Sequence, residues 1–286
     1  TLSIHSFPTR RSSDLMIAAN SPQEVMDLAA VSHLASIKAS LPIVHFFDGF
    51  RTSHEQQKIE VWDYETLDSM LDHAAVDRFK KHANNPCHPH LMGSAEQPET
   101  FFQHNEARNV FYDESVDIIK GVMDQVNESI GTDYKPFNYY GAKDATDVII
   151  AMGSVCETAA EVVDYLNESG RKVGLIKVRL FRPFSSKYLL QEIPRTVKNI
   201  AVLDRTKEPG SNGEPLYLDV ISALADSDDL NPRLTRGRYG LGSKDTQPGD
   251  IIAVYDNMAS DKPKKEFTIS IIDDVTNLRS EEHTSE

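Results

Sequence analysis

Hydrophobic and polar positions along this chain follow two periods. Short apolar runs rich in β-branched and aromatic residues, such as Pro42-Ile43-Val44-His45-Phe46-Phe47 and Val148-Ile149-Ile150-Ala151-Met152, are too brief for an unsupported helix and read as buried strands. Between them lie stretches with apolar residues at helical spacing. Val25, Leu28, Ala29, Ala35 and Ile37 supply one broad face. Ser21-Pro22-Gln23-Glu24 introduces it, with Ser as N-cap, Pro at the first helical position and Glu completing a capping box. With Ile17-Ala18-Ala19 before it and residues 42–47 after it, this helix makes a βαβ unit and hence a parallel sheet. That sheet is expected to be half-built, its flanking strands lying outside the chain.

Helical patterns at residues 64–83 and 103–131 lead into a second alternation. Residues 148–152 form a strand, Gly153-Ser154 a tight turn, and Val155, Ala159, Val162, Val163 and Leu166 a helix face that ends at Gly170. Residues 172–178, 188–192, 200–203, 216–225 and 234–236 continue the order of a doubly wound sheet. Beyond a helix at 251–258, Asp261-Lys262-Pro263-Lys264-Lys265 reads as a linker and residues 267–272 as a new strand.

Composition narrows the function classes. With 286 residues, 40% hydrophobic and 26% charged, the chain can bury a core as one large or two ordinary domains. Its net charge of −14 argues against a nucleic-acid or anionic-membrane surface, and no apolar run approaches the ~20 residues of a membrane span. Two cysteines, Cys87 and Cys156, fit a reducing, cytoplasmic compartment better than a disulfide-stapled secreted domain. Residues 1–15 and 279–286 show neither period and read as non-native tails.

Several groups are candidates for chemistry. After the strand at 42–47, Asp48-Gly49 supplies a turn, and Arg51, Thr52, Ser53, His54 and Glu55 stand at the strand's carboxyl end, where open α/β sheets place ligands. This cluster is either a solvated loop closed by local ion pairs or the surface one domain presents to another. His82, Cys87, His88 and His90 invite a metal reading, but prolines flank them and no second ligand pair stands at the spacing of structural zinc. Gly153-Ser154 could bind an anion at a helix N-terminus; lacking further glycines and a lysine, it reads instead as a close-packing turn. Three loops, at 181–184, 205–215 and 237–244, pair no nucleophile with a base and read as domain or subunit contacts. Thr276, at the carboxyl end of the last strand, is a candidate phosphate or amide contact, or a helix-capping threonine.

The phrases HFFDGFRTSHE, FYDESVDIIKGVMDQVN, AMGSVCETAAEVVDYL, RLFRPFS, LDRTKEPGSNGEPLYLDV, GRYGLGSKD and FTISIIDDVT occur in this order between Met16 and Leu278. In this the chain resembles the pyruvate:ferredoxin (flavodoxin) oxidoreductases. The resemblance implies an α/β fold: residues 16–138 as the end of an incomplete pyrimidine-side thiamine-diphosphate-binding domain, residues 139–262 as a complete, doubly wound, transketolase C-terminal-like domain, and residues 263–278 as the opening of a coenzyme A-binding domain. In place of the Arg that relatives carry before Gly-Thr, this chain has Met92-Gly93-Ser94. The family implies thiamine diphosphate, Mg2+, iron–sulfur clusters (4Fe–4S) and coenzyme A as cofactors of the full enzyme. None of these is expected on this piece alone, which has no Gly-Asp-Gly segment and no cysteine run. Implied partners are the remaining domains, ferredoxin or flavodoxin, and a second copy in a homodimer. A sister 2-oxoacid enzyme and a noncatalytic docking module of a thiamine enzyme are the alternatives.

Overall fold

The computed structural model describes residues 15–89 and 95–271. The chain opens with β1 (Leu15–Ala18), α1 (Pro22–Ala39) and β2 (Ile43–Phe46), and β1 pairs in parallel with β2 from Leu15↔Ile43 to Ala18↔Phe46. The strand thus begins at Leu15, a fully buried residue expected in a non-native tail. Ser21 Oγ caps α1 by accepting from the Glu24 amide at 3.3 Å. The return bond of the expected capping box is displaced by one residue: Glu24 Oε2 accepts from the Asn20 amide at 2.9 Å.

A one-turn helix α2 (Arg51–His54) and an extended stretch lead to α3 (Tyr64–Met70) and α4 (His73–Lys81). The single helix expected at 64–83 is broken because Asp72 leaves helical geometry and caps α4, accepting from the Ala75 amide at 2.8 Å. Likewise the helix expected at 103–131 is two, α5 (Pro98–Ala107) and α6 (Asn109–Ile130), interrupted at Arg108. Against α1, α6 buries Val116, Ile119, Val122, Met123 and Val126 to form the first core.

The second half contains β3 (Phe137–Gly141), β4 (Asp147–Ala151), α7 (Val155–Glu168), β5 (Val173–Val178), β6 (Leu180–Arg182), α8 (Ser186–Glu192), β7 (Asn199–Asp204), α9 (Pro215–Ala225), β8 (Arg233–Arg238), α10 (Pro248–Ala259) and β9 (Glu266–Thr268). Its six-stranded sheet runs β3-β5-β4-β7-β8-β9, all parallel except β3, which is antiparallel to β5. Helices α7 and α10 cover one face, α8 and α9 the other, each over its own apolar cluster. That is the doubly wound α/β arrangement expected.

Two boundaries differ from those expected, and one strand crosses between the halves. The break expected at residue 138 falls inside β3, whose Phe137 pairs with Val178. The strand expected to open a third domain is instead β9, completing this sheet in parallel with β8 and burying Phe267 fully. Finally, β6 leaves the second half to pair antiparallel with β1, giving a three-stranded sheet β2-β1-β6. A sheet shared in this way ties the halves together through backbone bonds.

Candidate functional site

Strands β1, β2, β4, β7 and β8 end at one junction between the two sheets, around a cavity of about 530 Å3. Its walls are mainly apolar, including Phe46, Phe47, Met152, Phe181, Leu203 and Leu216. The size and the position outside strand carboxyl ends are those of ligand sites in α/β proteins. A more polar cleft of about 300 Å3 shares Arg205, Tyr239 and Gly240 with it.

Asp48 divides and fastens this junction. One carboxylate oxygen accepts from the backbone N–H of Ser154, at the start of α7, and the other lies 2.8 Å from Arg205 Nη1. Arg205 in turn donates from Nε to the Gly240 carbonyl at 3.1 Å. Three segments distant in sequence are therefore held by one carboxylate. An anion does occupy the N-terminus of α7, as helix-end electrostatics favour, but it belongs to the chain itself. Gly153 is required for this approach: it has φ +85°, and a Cβ there would stand 2.5 Å from Asp48 Oδ2. The Gly153 N–H is held by Asn20 Oδ1 at 3.1 Å, and Tyr239 donates to the Met152 carbonyl at 3.0 Å.

Behind Asp48 the loop is strained. Phe50 has φ 65° and ψ −55°, a γ-turn conformation rarely adopted by a residue with a side chain. Its exposed ring stacks on His54 with centroids 5.5 Å apart.

A second fastening lies deeper. Arg179 Nη2 donates to Glu24 Oε1 at 2.6 Å and its Nε to Oε2 at 3.3 Å, joining α1 to the second half by a bidentate pair with side chains 5% and 9% exposed. Tyr134 lies under the guanidinium and donates to Asp27 Oδ2 at 2.8 Å; burial pushes its phenol well above the ordinary value. On the other side, Asp204 accepts from the Leu216 and Tyr217 amides at 3.0 and 3.1 Å, capping α9. Burial raises its carboxyl to about 7. Glu266 is pulled the other way, to about 2, by hydrogen bonds from Arg236 and then Arg238.

The sequence candidates fare unevenly. Within the 51–55 cluster, Thr52 is buried with Oγ1 unpartnered, while Ser53, His54 and Glu55 are exposed. Asp48, read from sequence as a turn residue, makes the cross-junction bonds instead. The loop at 205–215 contributes Arg205 and that at 237–244 the Gly240 carbonyl, so both meet at the junction. Phe181 and Arg182, expected in a loop at 181–184, lie instead in β6, and Arg182 pairs with Asp219 at 2.7 Å. Thr276 and His90 lie outside the described residues. Among the described residues no group of three or more His, Cys, Asp or Glu side chains could hold a metal ion, and no helix is long and apolar enough to cross a membrane.

Residues 7–124 match the family model for the thiamine-diphosphate-binding domain of pyruvate flavodoxin/ferredoxin oxidoreductases. Residues 145–251 match the model for core domain II of pyruvate:ferredoxin oxidoreductase. The chain belongs to the pyruvate:ferredoxin/flavodoxin oxidoreductase family. It is 53% identical over 271 residues to a pyruvate-flavodoxin oxidoreductase of Enterobacter agglomerans, covering 95% of this chain and 23% of that protein. A pyruvate:ferredoxin oxidoreductase of Moorella thermoacetica is 52% identical over 276 residues, covering 96% of this chain and 24% of its own length. The chain therefore spans about a quarter of the length of the curated relatives it matches. The fold is also that of a 2-oxoglutarate:ferredoxin oxidoreductase from Magnetococcus marinus, solved with 2-oxoglutarate, coenzyme A and succinyl-CoA bound. That match has a TM-score of 0.51 at 14% identity and covers 86% of this chain and 42% of the other. The junction held by Asp48 thus lies where the family's thiamine-binding domain meets its domain II.

Proposed function

We propose that this chain is an internal segment of a pyruvate:ferredoxin (flavodoxin) oxidoreductase. The complete polypeptide oxidatively decarboxylates pyruvate, transfers the acetyl group to coenzyme A, releases CO2 and passes the electrons to ferredoxin or flavodoxin. It does so as a cytoplasmic homodimer, with thiamine diphosphate, Mg2+ and iron–sulfur clusters. The observation that carries this reading is the colinear 53% identity over 95% of the chain.

Within that enzyme the segment acts as a brace. Asp48, Arg205, Glu24 and Arg179 fix the thiamine-binding sheet against domain II, so that groups carried by either side keep their spacing. The residues present here do not fit the clusters: Cys87 is exposed and alone, and the Cys156 thiol is buried, with its pKa pushed up by that burial. Thr276 remains the proposed contact to coenzyme A.

Reading the coding frame on both sides tests the assignment. Continuous coding, with a thiamine-domain start upstream and cysteine runs plus a Gly-Asp-Gly segment downstream, supports it. Genuine start and stop codons at these ends overturn it.

A further inference from the structure

Helix α5 is ten residues long and none of them is buried. A helix of that length is marginal in water without tertiary packing, and this one presents the adjacent Phe101 and Phe102, 56% and 71% exposed. Just beyond the interruption at Arg108, Val110 and Phe111 are each 57% exposed. Together these side chains leave about 400 Å2 of apolar surface wet, taking ~200 Å2 as the span of one aromatic ring. Isolated exposed apolar residues need no explanation, whereas a concentration of this size on one short segment marks a contact surface.

The charge around the patch restricts what covers it. Glu96, Glu99, Glu106, Asp113 and Glu114 flank the four apolar residues, and Arg108 is the one guanidinium among them. Glu96 also holds His104, at 3.0 Å. A second copy docked face to face would bring two acidic rims together, which costs energy where water is squeezed out. An apolar groove with a basic rim has the opposite effect.

We infer that residues 98–111 dock in cis into an apolar, basic-rimmed groove on the part of the polypeptide outside this chain. This rests on the reading of the chain as a segment of a longer oxidoreductase, which supplies that further polypeptide. The contact orders α5, none of whose residues is buried among the described residues. It is a surface that the cavity and fastenings of the junction do not use.

The test places the photocrosslinker p-benzoylphenylalanine at position 102 of the full-length protein, where it keeps the ring of Phe102. On irradiation, the expected product runs at the mass of one polypeptide. Mass spectrometry then joins residue 102 to a peptide outside residues 1–286 that lies beside Lys or Arg. A product at twice that mass would assign the face to a second copy and overturn the inference. So would a crosslink to a peptide within residues 1–286, or labelling by solvent alone. In parallel, Phe101→Ser with Phe102→Ser should speed limited proteolysis between residues 95 and 112 at least tenfold, and an unchanged cleavage rate would also overturn it. Pyruvate-dependent acetyl-CoA formation is measured on the same preparation. Absence of that activity before irradiation, with the same crosslink formed afterwards, would sink the enzymatic reading and leave the docking surface standing.

Discussion

Replacing Asp48 by Ala removes one carboxylate and two bonds at once. The Arg205 side chain is 20% exposed and Asp48 14%, so neither end is freely solvated. A charge-assisted hydrogen bond of this kind contributes about 1.5–3 kcal/mol, and the lost cap on α7 adds about 1 kcal/mol. A destabilisation of about 3 kcal/mol follows, a large share of a domain's net stability. Asp48→Asn keeps an acceptor for the Ser154 amide and loses only the charge, so its cost is about half. A double-mutant cycle with Arg205→Ala isolates the pair, with an expected coupling of about 2 kcal/mol. Urea unfolding supplies the assay, read by far-UV circular dichroism for the whole chain and by the single Trp62 for the first half. Additive effects in the cycle, or a cost under about 0.5 kcal/mol for Asp48→Ala, would refute the claim that this carboxylate fastens the junction.

The remaining predictions use the same measurements. Gly153→Ala, whose Cβ would stand 2.5 Å from Asp48 Oδ2, should cost about 3 kcal/mol, whereas Gly170→Ala, at the same φ of +85° with open space around it, should cost about 1 kcal/mol; equal costs would contradict the close approach. Glu24→Gln leaves Arg179 buried without its counter-charge, so it should cost about 3–5 kcal/mol and split unfolding into two steps, the Trp62 signal changing first; a single coincident transition at unchanged midpoint would count against it. The Asp204 carboxyl, at about 7 against an ordinary 3.8, holds its proton in the folded state after the unfolded chain has released it. Its contribution is therefore full below the unfolded value and is lost as pH rises toward 7, so Asp204→Asn should flatten the decline of stability between pH 4 and 7. Glu266 acts oppositely, contributing above its ordinary value and losing that contribution as pH falls toward 2; an identical pH profile in Glu266→Gln would show that its arginine pair is not maintained.

What could be read from sequence was what local chemistry decides. Ser21 and Pro22 start α1 where expected, and the β-branched run at 148–151 forms β4, because caps and strand propensity act within a few residues. The breaks at Asp72 and Arg108 were hidden by an apolar period that runs on through them; Asp72 shows itself as a cap only when its side chain turns back to Ala75. Pairing of β6 with β1 was out of reach because a three-residue strand carries no period. The same holds for the role of Asp48. An Asp before Gly after a strand is an ordinary turn signal, and its true partners, Ser154 and Arg205, lie more than a hundred residues away. A carboxylate at one strand end and a Gly-Ser helix start at another were both visible. Only the topology that brings two sets of carboxyl ends together makes them a pair.

The most direct test of the central claim is pyruvate- and coenzyme A-dependent reduction of ferredoxin or flavodoxin by the full-length protein, measured for wild type beside Asp48→Asn. The expected result is turnover that requires both substrates, and a clear loss of it when the junction carboxylate is neutralised while thiamine diphosphate and the clusters remain bound. A folded, fully loaded protein that reduces neither acceptor with pyruvate, or an Asp48→Asn variant as fast as wild type, would contradict it.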